Sequence, residues 1–151
     1  MTKEEFKKIC REEFEKHGFK KHNKAFYLIG KEVLCGLIFQ KSDFSSGYYI
    51  NVFFCIGDYR EAKVLPTRYD HDISDRILTL SKEKEDGEYY LTALIKYEEY
   101  SENELRLLIQ KDFQERILPP IIQGKKYIVD RLGKEYHLTL RKEEVLRKLK
   151  E

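Results

Sequence analysis

Apolar side chains recur at every second position over Val33, Cys35, Leu37 and Phe39, and again over Ile50, Val52, Phe54 and Ile56. This is the two-residue period of a strand with one buried face. The stretch from Val33 to Gly57 therefore predicts one β-hairpin whose two apolar rows meet in the core. Parity places Gln40 and Ser42 on the opposite face with Tyr49, Asn51, Phe53 and Cys55, because a one-residue slip would invert a whole strand. That second face is half apolar and half hydrogen-bonding, and it is the first place to look for a site.

The period changes on either side of the hairpin. Thr2 followed by Glu5 has the form of a capping box, and Phe6, Ile9, Cys10 and Phe14 follow as a helical stripe reaching about His17. Gly18 and Phe19 then supply a Schellman-type ending. Lys20 to Lys24 read as a basic link, Ala25 to Ile29 as a first strand, and Gly30 to Glu32 as the turn into the hairpin. Asp58 to Asp72, which carries Pro66, predicts a loop with room for a short helical turn. Ile73 to Leu80 predicts a strand, although Ile73, Ile77 and Leu80 also fit a helix. The polar run Ser81 to Glu88 ends in the turn signal Asp86-Gly87, and Tyr89 to Tyr97 alternates as the last strand of the sheet. A second capping box, Ser101 with Glu104, opens a helix bearing Leu105, Leu108, Ile109, Phe113 and Ile117, which Pro119 and Pro120 end or kink. Tyr127, Ile128 and Leu132 predict a short helix before Gly133, and Val145, Leu146 and Leu149 a final one. Segregated strands and helices give an α+β fold: an amino-terminal helix, an antiparallel β-meander of about five strands, and carboxy-terminal helices packed on the sheet.

Composition narrows the function classes. A chain of 151 residues fits a single domain spanning 1–151, with enough apolar material for a core. Its 29 basic and 27 acidic side chains leave a net charge of +2, which disfavours nucleic acid as a partner because it offers no extended basic stripe. Cys10, Cys35 and Cys55 are odd in number and sit in apolar periodicities, as expected of buried reduced thiols and a cytoplasmic location. No segment resembles a signal peptide, and no apolar run approaches the roughly 20 residues that span a bilayer, so no membrane association is expected.

Gly18-Phe19-Lys20-Lys21, Phe26-Tyr27, Phe39-Gln40-Lys41-Ser42, Asn51 on the next strand and an Arg-bearing strand at Ile73 to Leu80 together resemble a bacterial family known only as a domain of unknown function. The likeness spans nearly the whole chain through short motifs. It implies a small cytosolic bacterial domain with no established reaction. The chain departs from the family pattern in carrying Tyr89-Tyr90 where such domains often have Trp, so residue-level carry-over is confined to Gln40, Ser42, Asn51 and Arg76.

Gln40, Ser42, Tyr49 and Asn51 are candidate ligand- or partner-binding residues, with amide and hydroxyl groups suited to a small polar ligand or a peptide backbone; cross-strand hydrogen bonding is the alternative reading. Arg76 joins them as a binder of an anionic group or as one half of a structural ion pair. Asp70, His71, Asp72, Asp75 and His137 are metal-ligand types, but they lack a recognised ligand spacing. No metal, cofactor or catalytic residue is therefore assigned, and no common enzyme motif is present. Lys20, Lys21, His22 and Lys24, with Phe26 and Tyr27 close behind and Lys125 and Lys126 near the other end, are the candidate phosphate-binding patch. The leading expectation is a non-enzymatic module binding a protein partner or small polar ligand, with an immunity or defence-accessory role as one form. A small enzyme using the polar corner and a weak nucleic-acid binder are the alternatives.

Overall fold

Capping starts the first helix as the sequence implies. In the computed structural model, which describes residues 1–136 and 142–151, α1 runs Lys3–Lys16. The Thr2 hydroxyl oxygen accepts the Glu5 N–H at 3.1 Å and its proton goes to the Glu5 carboxylate at 3.2 Å. The helix ends at Gly18, φ +95°, where the Phe19 and Gly18 N–H groups donate to the Phe14 and Glu15 carbonyls, a Schellman ending.

Five strands form an antiparallel meander in chain order: β1 Lys20–His22, β2 Ala25–Ile29, β3 Val33–Lys41, β4 Tyr48–Ile56 and β5 Ile73–Arg76. The predicted parity holds, with Val33 opposite Ile56, Cys35 opposite Phe54, Leu37 opposite Val52 and Phe39 opposite Ile50. That row packs under α1 and the later helices as the main core. On the reverse face Leu34, Phe53 and Cys55 join Ala25 and Tyr27 in a smaller cluster beneath the 57–72 loop. Gly36 is required there, because a Cβ would collide with the Phe53 ring lying across it.

Strand membership departs from the sequence reading in three places. The basic link Lys20–His22 is itself the outer strand β1, exposed along its length and turned into β2 through Asn23 at φ +57°. With neither face buried it carries no apolar period, and its charges blunt a sheet edge. The segment from Ile73 breaks after Arg76, and β6 (Thr79–Glu85) begins a separate two-stranded ribbon with β7 (Glu88–Thr92). The Asp86-Gly87 turn joins that ribbon, so Tyr89 to Tyr97 is not the last strand of the main sheet. Only Ile95, fully buried, reaches back, exchanging two backbone hydrogen bonds with Tyr48.

Ser101 and Glu104 complete a capping box at the start of α2 (Glu102–Asp112). A π-helical turn at Phe113–Ile117 leads into α3 (Leu118–Gln123). Pro119 and Pro120 have no N–H for the carbonyls of Glu115 and Arg116, and the wide turn precedes them, with the Leu118 N–H reaching Phe113 instead. Short α4 (Lys125–Val129) and α5 (Lys142–Lys150) follow. Among the described residues no helix is long and apolar enough to cross a membrane.

Candidate functional site

Every helix that enters the main core packs on one face of the sheet, so the Gln40 face is free of helical cover among the described residues. Antiparallel pairing sets Gln40 opposite Tyr49 and Asn51 opposite Arg76. Four half-buried side chains from three adjacent strands thereby meet at one point. Arg76 donates through Nε to Asn51 Oδ1 at 3.0 Å and through Nη2 to Gln40 Oε1 at 3.3 Å. Asn51 Nδ2 donates to the same Gln40 oxygen at 2.8 Å. Because a guanidinium only donates, both amides must turn their oxygens toward it, which fixes their orientation. The Tyr49 ring closes the arrangement, with the Arg76 guanidinium carbon 3.9 Å from its centroid.

Chemically, this arrangement holds a cation without neutralising it. Among the described residues no carboxylate pairs with Arg76, and Arg76 Nη1 and the Gln40 carboxamide nitrogen have no protein partner. Both are donors. They sit at a cleft of about 540 Å³ whose walls include Phe53 from the sheet, Arg68 and His71 from the 57–72 loop, Leu78 and Ala93 at the root of the β6–β7 ribbon, and Asp75, whose carboxylate is held by Arg116.

The ion pair that Arg76 does not make is made by Arg116. It binds Asp112 through Nε at 2.7 Å and Nη2 at 2.8 Å, Asp75 at 2.8 Å and the Arg76 carbonyl at 2.6 Å. Burial pulls the Arg116 guanidinium down, but Asp112 and Asp75 outweigh it and hold it above its ordinary value. Asp75 also accepts the Arg76 N–H at 2.8 Å, and Asp112 accepts the Leu78 N–H at 3.0 Å. The outward N–H and C=O of the edge strand are thus plugged, and the backbone bearing Arg76 is fixed from behind.

Of the five sequence-predicted site residues, the structure brings Gln40, Tyr49, Asn51 and Arg76 together and places Ser42 elsewhere. β3 ends at Lys41, so strand parity no longer governs Ser42; it is buried in the hairpin loop, where its hydroxyl oxygen accepts from the Phe44 N–H and the Ser45 hydroxyl, each at 3.3 Å. Arg68 and the pairing of Arg116 with Asp112 and Asp75 escaped the sequence reading, which weighed His71 and Asp75 only as metal-ligand types. The loop residues have no periodicity to reveal them, whereas the i,i+4 spacing of Asp112 and Arg116 was a usable signal.

The carboxylates considered as metal ligands are occupied. Asp70 caps the turn at Thr67, with the Thr67 N–H at 2.9 Å. Asp72 takes the Ile56 N–H at 2.7 Å and Lys148 at 2.9 Å, and Asp75 holds Arg116. His137 lies outside the described residues. Burial, aided by Asp72, pushes the Cys55 thiol up to about 12, and burial likewise raises Cys10 and Cys35.

Fold and cleft together define an α+β domain with a polar cluster on the free face of a meander sheet. Residues 10–123 match the family described as Domain of unknown function (DUF4304), and the chain belongs to that family. The matched span contains Gln40, Ser42, Tyr49, Asn51, Arg76 and Arg116. No curated protein and no solved structure matches the chain.

Proposed function

We propose that this protein is a binding module that captures an anionic group, a carboxylate or phosphate, of a small polar ligand or of a protein partner in the Arg76 cleft. The observation that supports this reading is the unpaired Arg76 guanidinium, oriented by two neutral amide oxygens and stacked on Tyr49, with free donors at the cleft. Neutral acceptors position the charge without cancelling it, so its attraction remains available to a ligand. The cleft walls add Arg68 and contribute apolar surface from Phe53, Leu78 and Ala93, the mixture expected where a few polar groups set orientation within an apolar lining.

Thermal denaturation in the presence of inorganic phosphate, pyrophosphate and a set of small carboxylates tests the reading. A ligand at a hundred times its Kd stabilises the fold by about 2.7 kcal/mol. At least one anion should raise the melting temperature of the wild-type protein in a saturable way and leave Arg76→Met unmoved. Equal responses from both proteins, or none from the wild type, would remove the proposal.

A further inference from the structure

A second, larger groove of about 1000 Å³ lies beside the cleft, between α1, the β1–β2 turn and the 57–72 loop. Its lining carries Lys7, Arg11, Lys21, His22, Lys24 and Arg68 and no acidic side chain, although 27 of the 151 residues are acidic. Among the described residues none of these lysines and arginines forms a salt bridge; Lys7 instead lies over the Phe39 and Tyr48 rings at 5.8 and 5.1 Å. The net charge of +2 hides this concentration because helix, hairpin and the later loop each contribute cations to one wall. Phe26 and Tyr27 are buried, so neither can stack on a ligand. The ring that can is Tyr69, 78 % exposed, one face of which is held by Arg68, its guanidinium 4.9 Å from the centroid and its Nη2 donating to the Tyr69 hydroxyl at 2.7 Å.

We infer that this groove is a binding site for single-stranded nucleic acid, with Arg11, Lys21, Lys24 and Arg68 on phosphates and Tyr69 as a stacking platform. A cationic channel with an exposed aromatic face is the combination that single strands recognise, since every base presents a π-face and every linkage a charge. An acidic peptide would use the cations but gain nothing from the ring. Apart from Arg68 and Phe53, which line both, the groove uses different side chains from the neighbouring Arg76 cleft.

The test is fluorescence anisotropy of the full chain with a labelled oligouridine of about ten nucleotides, a length within the range that single-strand grooves occupy. Four phosphate contacts predict a slope of log K against log salt of about −2.8, a roughly fifty-fold loss of affinity between about 50 and 200 mM salt. Replacing the exposed pair, Lys21→Glu with Lys24→Glu, should reduce the slope to about −1.4 or less. Tyr69→Ala should weaken binding about tenfold without changing the slope. Arg76→Met should leave affinity within about threefold, as expected for at most one phosphate contact, which separates failure here from failure of the Arg76 cleft. Absence of wild-type binding, indifference to the Lys21/Lys24 pair, or equal competition by a polyglutamate of the same charge would each overturn the inference.

Discussion

Arg76 and Arg116 lie on opposite sides of the β5 backbone and should differ sharply in what their substitution costs the fold. Arg116→Met removes four hydrogen bonds and leaves the Asp112 carboxylate, in a residue only 4 % exposed, with the backbone N–H of Leu78 as its donor among the described residues. Breaking a buried pair from one side costs roughly 3–5 kcal/mol. The Arg116 side chain is 29 % exposed and partly screened, so the lower end applies, about 3 kcal/mol. For a domain of this size that corresponds to a fall in Tm of about 9 °C. Arg76→Met strands no carboxylate; it gives up two hydrogen bonds to neutral amides and a stacking contact, while Gln40 keeps its bond from Asn51. The desolvation of an unpaired cation is relieved at the same time, so the net cost is about 1 kcal/mol or less, or about 3 °C. Differential scanning calorimetry of the two variants beside the wild type decides the matter. A loss for Arg76→Met as large as that for Arg116→Met would mean that Arg76 is structural, and the argument for an available cation would fail.

Other consequences follow from the same geometry. Gly36→Ala should displace the Phe53 ring, cost about 1–3 kcal/mol as overpacking, and disturb both clefts, visible in Tm and in loss of anion response. Asn51→Leu should weaken anion binding while lowering stability far less than Arg116→Met, because Arg76 loses the acceptor of its Nε–H; parallel calorimetric and thermal-shift titrations check it. The thiols set an alkaline limit. A group whose pKa is raised in the folded state contributes stability fully below its unfolded value and loses it as the pH climbs through the folded one. With Cys55 moved from an ordinary 9.0 to about 12, and Cys10 and Cys35 also raised, Tm should fall progressively above about pH 9. The native protein should also resist thiol alkylation at pH 8 until it is unfolded.

The parts of the fold that repeat a period were readable from the chain. The hairpin register followed from two apolar rows, and its parity put Gln40, Tyr49 and Asn51 on one face from sequence alone. Capping boxes and a Gly-Phe ending located the helices because those residues perform local hydrogen bonding wherever they occur. What was not legible lacked such periodicity or depended on tertiary placement. β1 is exposed on both sides and so has no pattern; the β6–β7 ribbon satisfies an alternating sequence without joining the sheet. Ser42 missed the cluster because a strand ended one residue early, a boundary no period reveals. Of the larger groove's basic residues, Lys21, His22 and Lys24 stood out in the sequence as a patch, but their meeting with Lys7 and Arg11 of α1 and Arg68 of the loop depends on tertiary placement, and a net charge of +2 contains no trace of it.

Arg76 holds a positive charge ready for an anionic group. The most direct test is a nitrogen-15 NMR titration with inorganic phosphate that follows the Arg76 Nε–H together with the Gln40 and Asn51 side-chain amides. All three signals should shift saturably with one common Kd, and the amide shifts should disappear in Arg76→Met. Arg76, Gln40 and Asn51 signals that stay fixed across the titration, or that drift linearly with ionic strength as exposed surface groups do, would contradict it.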